Sequence, residues 1–288
     1  MKFLSKKDLK IPKRSPSSHK GDNGVVLAVG GSREYPGAIT LSSLAALRSG
    51  CDIVRVAAPE KVAWAVNAYS PDVITIKLKG EYITERHYPI LQPYLEKSDV
   101  LLLGNGMTIS REGKALCRKI VKNNKLKVID ADALKMLSLQ DLKNSIVTPH
   151  LRELEALLRN SKISITPIKT IINEKDTKKR ASLIQNAAKQ WLEKNNIILL
   201  KGKIDTIISK DGIFYNRTGN AGMTRGGTGD VLAGLCAGYL AQSKDLLQSA
   251  KNAIYINGMI GDILLRKKKG FTYLASDMVE EIRRISRR

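Results

Sequence analysis

The sequence predicts an α/β domain in which a mostly parallel sheet is covered by helices on both faces. Short apolar runs recur along the chain, bounded by Gly, Pro or Asn. Stretches of helical period separate them, and only one pair of runs is spaced as a hairpin. Taken in order, Gly24–Gly31 (GVVLAVGG) is apolar without alternation, as a strand buried on both faces must be. A small-residue helix follows over Ala38–Arg48, then a strand at Asp52–Ala57, a helical stretch after Pro59 and a strand at Val73–Leu78. Asp99–Gly104, Lys127–Ala131, Ser145–Pro149 and Asn196–Gly202 are further strands of the same kind. Thr206–Tyr215 carries Asp211-Gly212 at its centre and reads as an antiparallel hairpin. Helical period then occupies 228–241, 245–265 and 275–286. No internal repeat or linker divides the chain, so a single domain over 1–288 is expected.

Composition narrows the classes. Of 288 residues 43% are hydrophobic, which argues against a chain that is mainly disordered. No apolar run reaches the length of a membrane span, and MKFLSKKDLKIPKR lacks the apolar stretch of a secretory signal. Cys51, Cys117 and Cys236 are isolated and odd in number, so a reducing, cytoplasmic setting is expected and a zinc site is not. The net charge is +22, concentrated in 1–20, 161–203 and 266–288. Such a surface favours anionic ligands. It reads first as Lys-rich solvated helix faces, because no aromatic residues are interleaved as a nucleic-acid stacking platform requires. Neither a specific nucleic acid nor a membrane is expected as partner.

Ligands of open α/β sheets gather at the carboxyl ends of the strands. Those ends here are Gly30-Gly31-Ser32, Gly104-Asn105-Gly106, Asp130-Ala131-Asp132, Thr148-Pro149-His150, Lys201-Gly202 and the loop Gly219–Asp230. The strongest signal is Gly226-Gly227-Thr228-Gly229-Asp230 at a helix start. Its glycines allow close backbone approach, and the unpaired amides of the helix N-terminus form an anion hole. Arg225 adds charge beside it. A carboxylate facing a phosphate is repulsive, so Asp230 is better suited to taking a proton from an attacking hydroxyl; helix capping is its plainer role. His150 and Glu153 are either a functional pair or a surface residue and a dipole-compensating acid. The Lys201 amine either reaches an anion or snorkels to solvent. Asp130 and Asp132 either hold magnesium through water or cap backbone amides. No GxxxxGK[ST] occurs, and Gly104-x-Gly106 lacks the third glycine of a dinucleotide fingerprint, with Ile109 in its place.

The GGTGD helix start after a long α/β sheet resembles the anion hole and catalytic Asp of ribokinase-like enzymes. Tyr35-Pro-Gly-Ala38, Val128–Leu134, Thr148-Pro-His150 with Glu153, Lys201-Gly202, Asn220-Ala-Gly-Met-Thr with Gly226–Asp230, and Ala275-Ser-Asp277 occur in order. Together, over about residues 20–285, these resemble the ADP/ATP-dependent NAD(P)H-hydrate dehydratases. The resemblance implies a ribokinase-like three-layer α/β/α sandwich and ADP-dependent dehydration of the S epimer of NAD(P)H-hydrate, with Mg²⁺, releasing AMP and phosphate. ATP is the donor in some members. Carried over by position, Ala38, Gly106, His150 and Asp230 line the hydrate, with Asp230 catalytic. Lys201, Gly202, Lys203, Ile204, Asp205 and Gly229 hold the adenine nucleotide, and Gly226, Gly227, Thr228 and Gly229 form the anion hole. Many members follow an epimerase domain. With about 20 residues ahead of its first strand, this chain is expected to lack that domain, leaving the epimerase to a separate chain. A homo-oligomer is implied by the same likeness, and a kinase of a small hydroxylated metabolite is the alternative. Two departures stand out. The family usually has Gly-Pro-Gly-x-Gly where this chain has Gly104-Asn-Gly106-Met, so either glycine could meet substrate. It usually has Pro-Gly-Glu after Thr-Pro-His, where this chain has Leu-Arg-Glu153.

Overall fold

A computed structural model describes residues 1–267 and 270–285. The chain runs β1 (Val25–Val29), α1 (Pro36–Arg48), β2 (Ile53–Pro59), α2 (Glu60–Tyr69), β3 (Ile74–Leu78), α3 (Tyr88–Glu96), β4 (Val100–Leu103), α4 (Arg111–Ile120), β5 (Leu126–Ile129) and α5 (Asp132–Met136). It continues through β6 (Ser145–Val147), α6 (Leu151–Arg159), α7 (Ile165–Asn173), α8 (Thr177–Ala187), α9 (Lys189–Leu192), β7 (Asn196–Leu200), β8 (Asp205–Ser209) and β9 (Gly212–Asn216). The last three helices are α10 (Thr228–Ser243), α11 (Leu246–Lys267) and α12 (Ala275–Ile285). Every strand and late helix expected from the sequence is present. The expected end of the last helix, residue 286, lies outside the described residues.

The sheet order is β3-β2-β1-β4-β5-β6-β7-β8-β9, parallel from β3 to β7 and antiparallel at β7–β8 and β8–β9. Strands β1, β4 and β7 are buried on both faces, which explains their continuous apolar runs, while the edge strand β3 leaves Ile74 exposed. One layer packs α1, α2, α10, α11 and α12 against the sheet and holds Cys51 and Cys236. The other packs α3 to α9 and holds Cys117. Lys175, Lys178 and Lys179 point to solvent while Ile168, Ile171, Ala181 and Ile184 are buried, so much of the basic middle segment is a solvated helix face. No helix among the described residues is long and apolar enough to cross a membrane.

The centre of the first layer is α10, which is buried along nearly its whole length. Its sequence therefore shows no polar face, as expected for a helix enclosed on all sides. Gly234 and Gly238 let it touch α1: an added Cβ would fall on the Ser42 carbonyl at the first and on the Ser49 hydroxyl at the second. This contact fixes the start of α10 over the carboxyl ends of β1, β4 and β5.

Candidate active site

Chain order reverses in the sheet between β1 and β4, and the loops leaving these strands are tied together. Gly31 N–H donates to the Asn105 carbonyl at 2.8 Å, and the Thr108 hydroxyl donates to that of Ser32 at 2.9 Å. Gly104 and Gly106 both have positive φ but face different neighbours. A Cβ at Gly104 would strike the Asp130 backbone and Ala133, whereas one at Gly106 would lie 2.9 Å from the Ala38 Cβ and 2.6 Å from the Tyr35 carbonyl. Gly106 and Ala38 thus share one wall, and Gly104 is spent on packing β4 against the start of α5.

Asp130, at the end of β5, is buried and anchors the next group. Its Oδ1 accepts from the Thr148 hydroxyl at 2.7 Å and from Lys201 Nζ at 3.1 Å; its Oδ2 accepts from Asn105 Nδ2 at 3.0 Å. Lys201 Nζ also lies 3.5 Å from the Glu153 carboxylate. The amine has therefore found anions rather than solvent, and those anions hold its pKa above the ordinary value against the opposing effect of burial. Glu153 is itself buried and does more than compensate a helix dipole: it accepts from His150 N–H at 2.9 Å and faces the Lys201 charge. His150 caps α6, its Nδ1 accepting from Arg152 N–H and Glu153 N–H at 3.2 and 3.3 Å. Burial lowers its pKa, with Glu153 opposing and Lys201 assisting, so the ring is neutral near pH 7; its Nε2 lies 3.4 Å from the Glu153 carboxylate and the side chain is half-exposed.

Asp230 stands in the first turn of α10, and Asn105 Nδ2 donates to its Oδ1 at 2.7 Å. One amide thus bridges two carboxylates, Asp130 and Asp230. Burial pushes the Asp230 carboxyl up to about 7, and the charge of Asp130 pushes the same way; the Asn105 bond and Lys201 oppose them. Gly227 caps the helix with φ +92°, pressed between Leu41 and Ala275, while a Cβ at Gly226 would meet open space. The backbone N–H groups of Gly226, Gly227, Gly229 and Asp230 find no acceptor among the described residues, so they are free to face an anion. Thr228 is used differently: its hydroxyl donates to the carbonyls of Met223 and Arg225 and fastens the loop. That loop is held again by Asn220, which donates to Asp262 at 3.1 Å and accepts from the buried Tyr273 hydroxyl at 2.7 Å. Arg225 is exposed.

The Lys201 amine lies beside Gly229, 3.3 Å from where a Cβ would stand. The loop after β7 folds on itself, Gly202 N–H donating to the Asp205 carboxylate at 2.9 Å, with Lys203 exposed and Ile204 half-buried. Burial raises the Asp205 carboxyl to about 6. Each oxygen of Asp130 and Asp132 is occupied: Thr108 N–H and Lys135 Nζ both bind Asp132 at 3.0 Å. Among the described residues no three His, Cys, Asp or Glu side chains cluster for a metal. Asp132 thus caps a backbone amide, whereas Asp130 ties three strand ends together through side chains. Sequence reasoning passed over Asn105, reading only the glycines around it; a polar residue enclosed by two glycines at a strand end was the available signal.

A family model described as NAD(P)H-hydrate dehydratase matches residues 26–284. The bifunctional NAD(P)H-hydrate repair enzyme Nnr of Methanothermobacter thermautotrophicus is 39% identical over 95% of this chain, which spans 52% of that protein. An ADP-dependent (S)-NAD(P)H-hydrate dehydratase of Cenarchaeum symbiosum is 38% identical, with 94% of this chain and 91% of that one covered. Among solved structures, a ribokinase-like superfamily protein from Enterococcus faecalis superposes with a TM-score of 0.83 at 26% identity, covering 99% of this chain and 95% of the other. The chain thus spans about half the length of its bifunctional relatives, and nearly all of the single-function one.

Proposed function

The chain belongs to the NAD(P)H-hydrate dehydratase family, and we propose that it converts the S epimer of NAD(P)H-hydrate to NAD(P)H at the expense of ADP, releasing AMP and phosphate. One observation carries this reading. A carboxylate, Asp230, is half-buried beside free helix amides and pushed up to about 7, so it can take a proton where an anion is bound. The C6 hydroxyl of the hydrate is a poor leaving group. Its oxygen attacks the terminal phosphorus of ADP as Asp230 takes the proton, and the bond to AMP breaks. The amides from Gly226 to Asp230 stabilise charge on the transferred phosphoryl, and Lys201 neutralises the surrounding carboxylates. The ring nitrogen lone pair then expels phosphate, and loss of a proton from C5 restores the double bond.

Ala38, Gly106 and His150 line the hydrate in this reading, with the half-exposed side chain of His150 toward it. Lys201 to Asp205 and Gly229 flank the nucleotide. ADP as donor rests on the name of the Cenarchaeum relative. Magnesium arrives on the nucleotide's phosphates as part of the substrate, because the carboxylates around the site are already bonded. An epimerase activity that supplies the S epimer, a cytoplasmic setting and self-association complete the proposal.

The test is to mix the protein with enzymatically prepared NADH hydrate, Mg²⁺ and either ADP or ATP. Return of the dihydronicotinamide absorbance with equimolar phosphate supports the reading and identifies the donor; a stable phosphorylated product would transfer the chain to the kinases. The pH dependence follows from Asp230. Protonated, it accepts nothing, so kcat/KM is expected to rise with pH and reach half its maximum near 7, the value to which its carboxyl is pushed. A half-maximum in the ordinary carboxylate range would remove Asp230 from the role of base.

A further inference from the structure

Asn105 lies between two strand-end glycines, and its side-chain amide reaches two carboxylates from different elements. We propose that Asn105 is a positioning residue of this active site: its side-chain amide ties the Asp230 carboxylate to the buried Asp130 and so fixes the direction in which Asp230 presents its free oxygen to the substrate hydroxyl. The inference rests on the reading of Asp230 as base.

The geometry allows one orientation of the side chain. Nδ2 lies 3.0 Å from Asp130 Oδ2 and 2.7 Å from Asp230 Oδ1, so a flipped amide would set its oxygen against two carboxylates. Each of its two N–H groups serves one acid. Asn105 is fully buried, its carbonyl is locked to Gly31 N–H, and it is flanked by two glycines with positive φ, so the amide moves only if the loop moves. Among the described residues it is the only hydrogen-bond donor to Asp230. Asp130 cannot drift either, being bonded to Thr148 and Lys201 as well. The charges that act on Asp230 come from Asp130 at the end of β5, Lys201 at the end of β7 and Glu153 in α6. With two acids against one amine as its neighbours, the Asn105 N–H is the nearest group favouring the ionised form. Among the described residues the Asn105 backbone N–H has no acceptor and glycine precedes it, so proline there breaks no backbone hydrogen bond.

The experiment compares wild type with Asn105→Leu, which keeps bulk without donors, and Asn105→Pro, which removes the side-chain amide altogether. The expected result is a kcat at least about tenfold lower near pH 7, little change in nucleotide KM, and an acid limb moved upward by about one pH unit, the scale of one lost hydrogen bond to a charged group. A loss that is uniform over pH marks a merely structural role, and an unmoved limb in a folded variant overturns the proposal. If neither variant folds, the wild-type protein decides it. The Asn105 side-chain amide resonances should shift with pH, with the midpoint of the activity's acid limb; resonances flat across that range overturn the proposal. That titration is read without turnover, so a protein inactive toward the hydrate would refute the functional reading while still testing the Asn105–Asp230 tie.

Discussion

Asp230→Asn is expected to lower turnover by at least about a hundredfold while nucleotide binding stays close to wild type, the usual scale for a lost general base. The substitution keeps size and shape, and the new side-chain oxygen can still accept from Asn105. The anion-holding amides belong to the backbone and survive the change. Stability should move the opposite way. Asp230 has a carboxyl pKa raised on folding, so its ionised form opposes folding. That cost is absent below the unfolded carboxylate range, grows as pH rises toward about 7 and is constant above it. The neutral Asn escapes it, so the variant should melt higher than wild type at pH 8 and equally at pH 3. Steady-state kinetics and calorimetry at the two pH values check both halves. Full activity in the variant would end the proposed mechanism.

Lys201→Met carries the largest expected stability loss, about 3–5 kcal/mol, because breaking a buried ion pair leaves its partners uncompensated. Two carboxylates, Asp130 and Glu153, depend on this amine, and both are buried. The Lys201 pKa is raised in the folded state, so its contribution is fully present at neutral pH and is lost only as the solution becomes strongly alkaline. Urea unfolding near pH 7 measures the loss. Adding Glu153→Gln to the variant should restore part of it by removing one stranded charge, and a wild-type midpoint for Lys201→Met alone would refute the account. The amine also favours ionised Asp230, so the acid limb of any remaining activity should shift upward.

The strands were legible because a parallel strand covered on both faces is mostly apolar, as β1, β4 and β7 show. The helix start at Gly227 was legible because only glycine suits its left-handed cap between Leu41 and Ala275. What stayed hidden depends on distance along the chain. The Asn105–Asp230 bond joins residues 125 positions apart and Lys201–Asp130 joins residues 71 apart, so neither leaves a local pattern. His150 shows a subtler limit. The sequence posed a functional residue and a surface residue as rivals, yet a ring whose Nδ1 caps α6 is also half-exposed, and capping was not among the expectations. Lys127 is another: within an apolar strand its amine is satisfied by the carbonyls of Asn123, Lys125 and Lys143, which no side-chain pattern announces.

The three cysteines give the fold a built-in set of clocks. Burial pushes the thiols of Cys51 and Cys117 up to about 12 and raises that of Cys236 as well, so none is a thiolate in the closed protein. An alkylating reagent can reach them only through opening. Cys117 belongs to the buried face of α4 on one side of the sheet, and Cys236 lies inside α10 on the other. Their separate labelling rates therefore time the loosening of each helical layer independently, and any ligand that braces the start of α10 slows the Cys236 clock in particular.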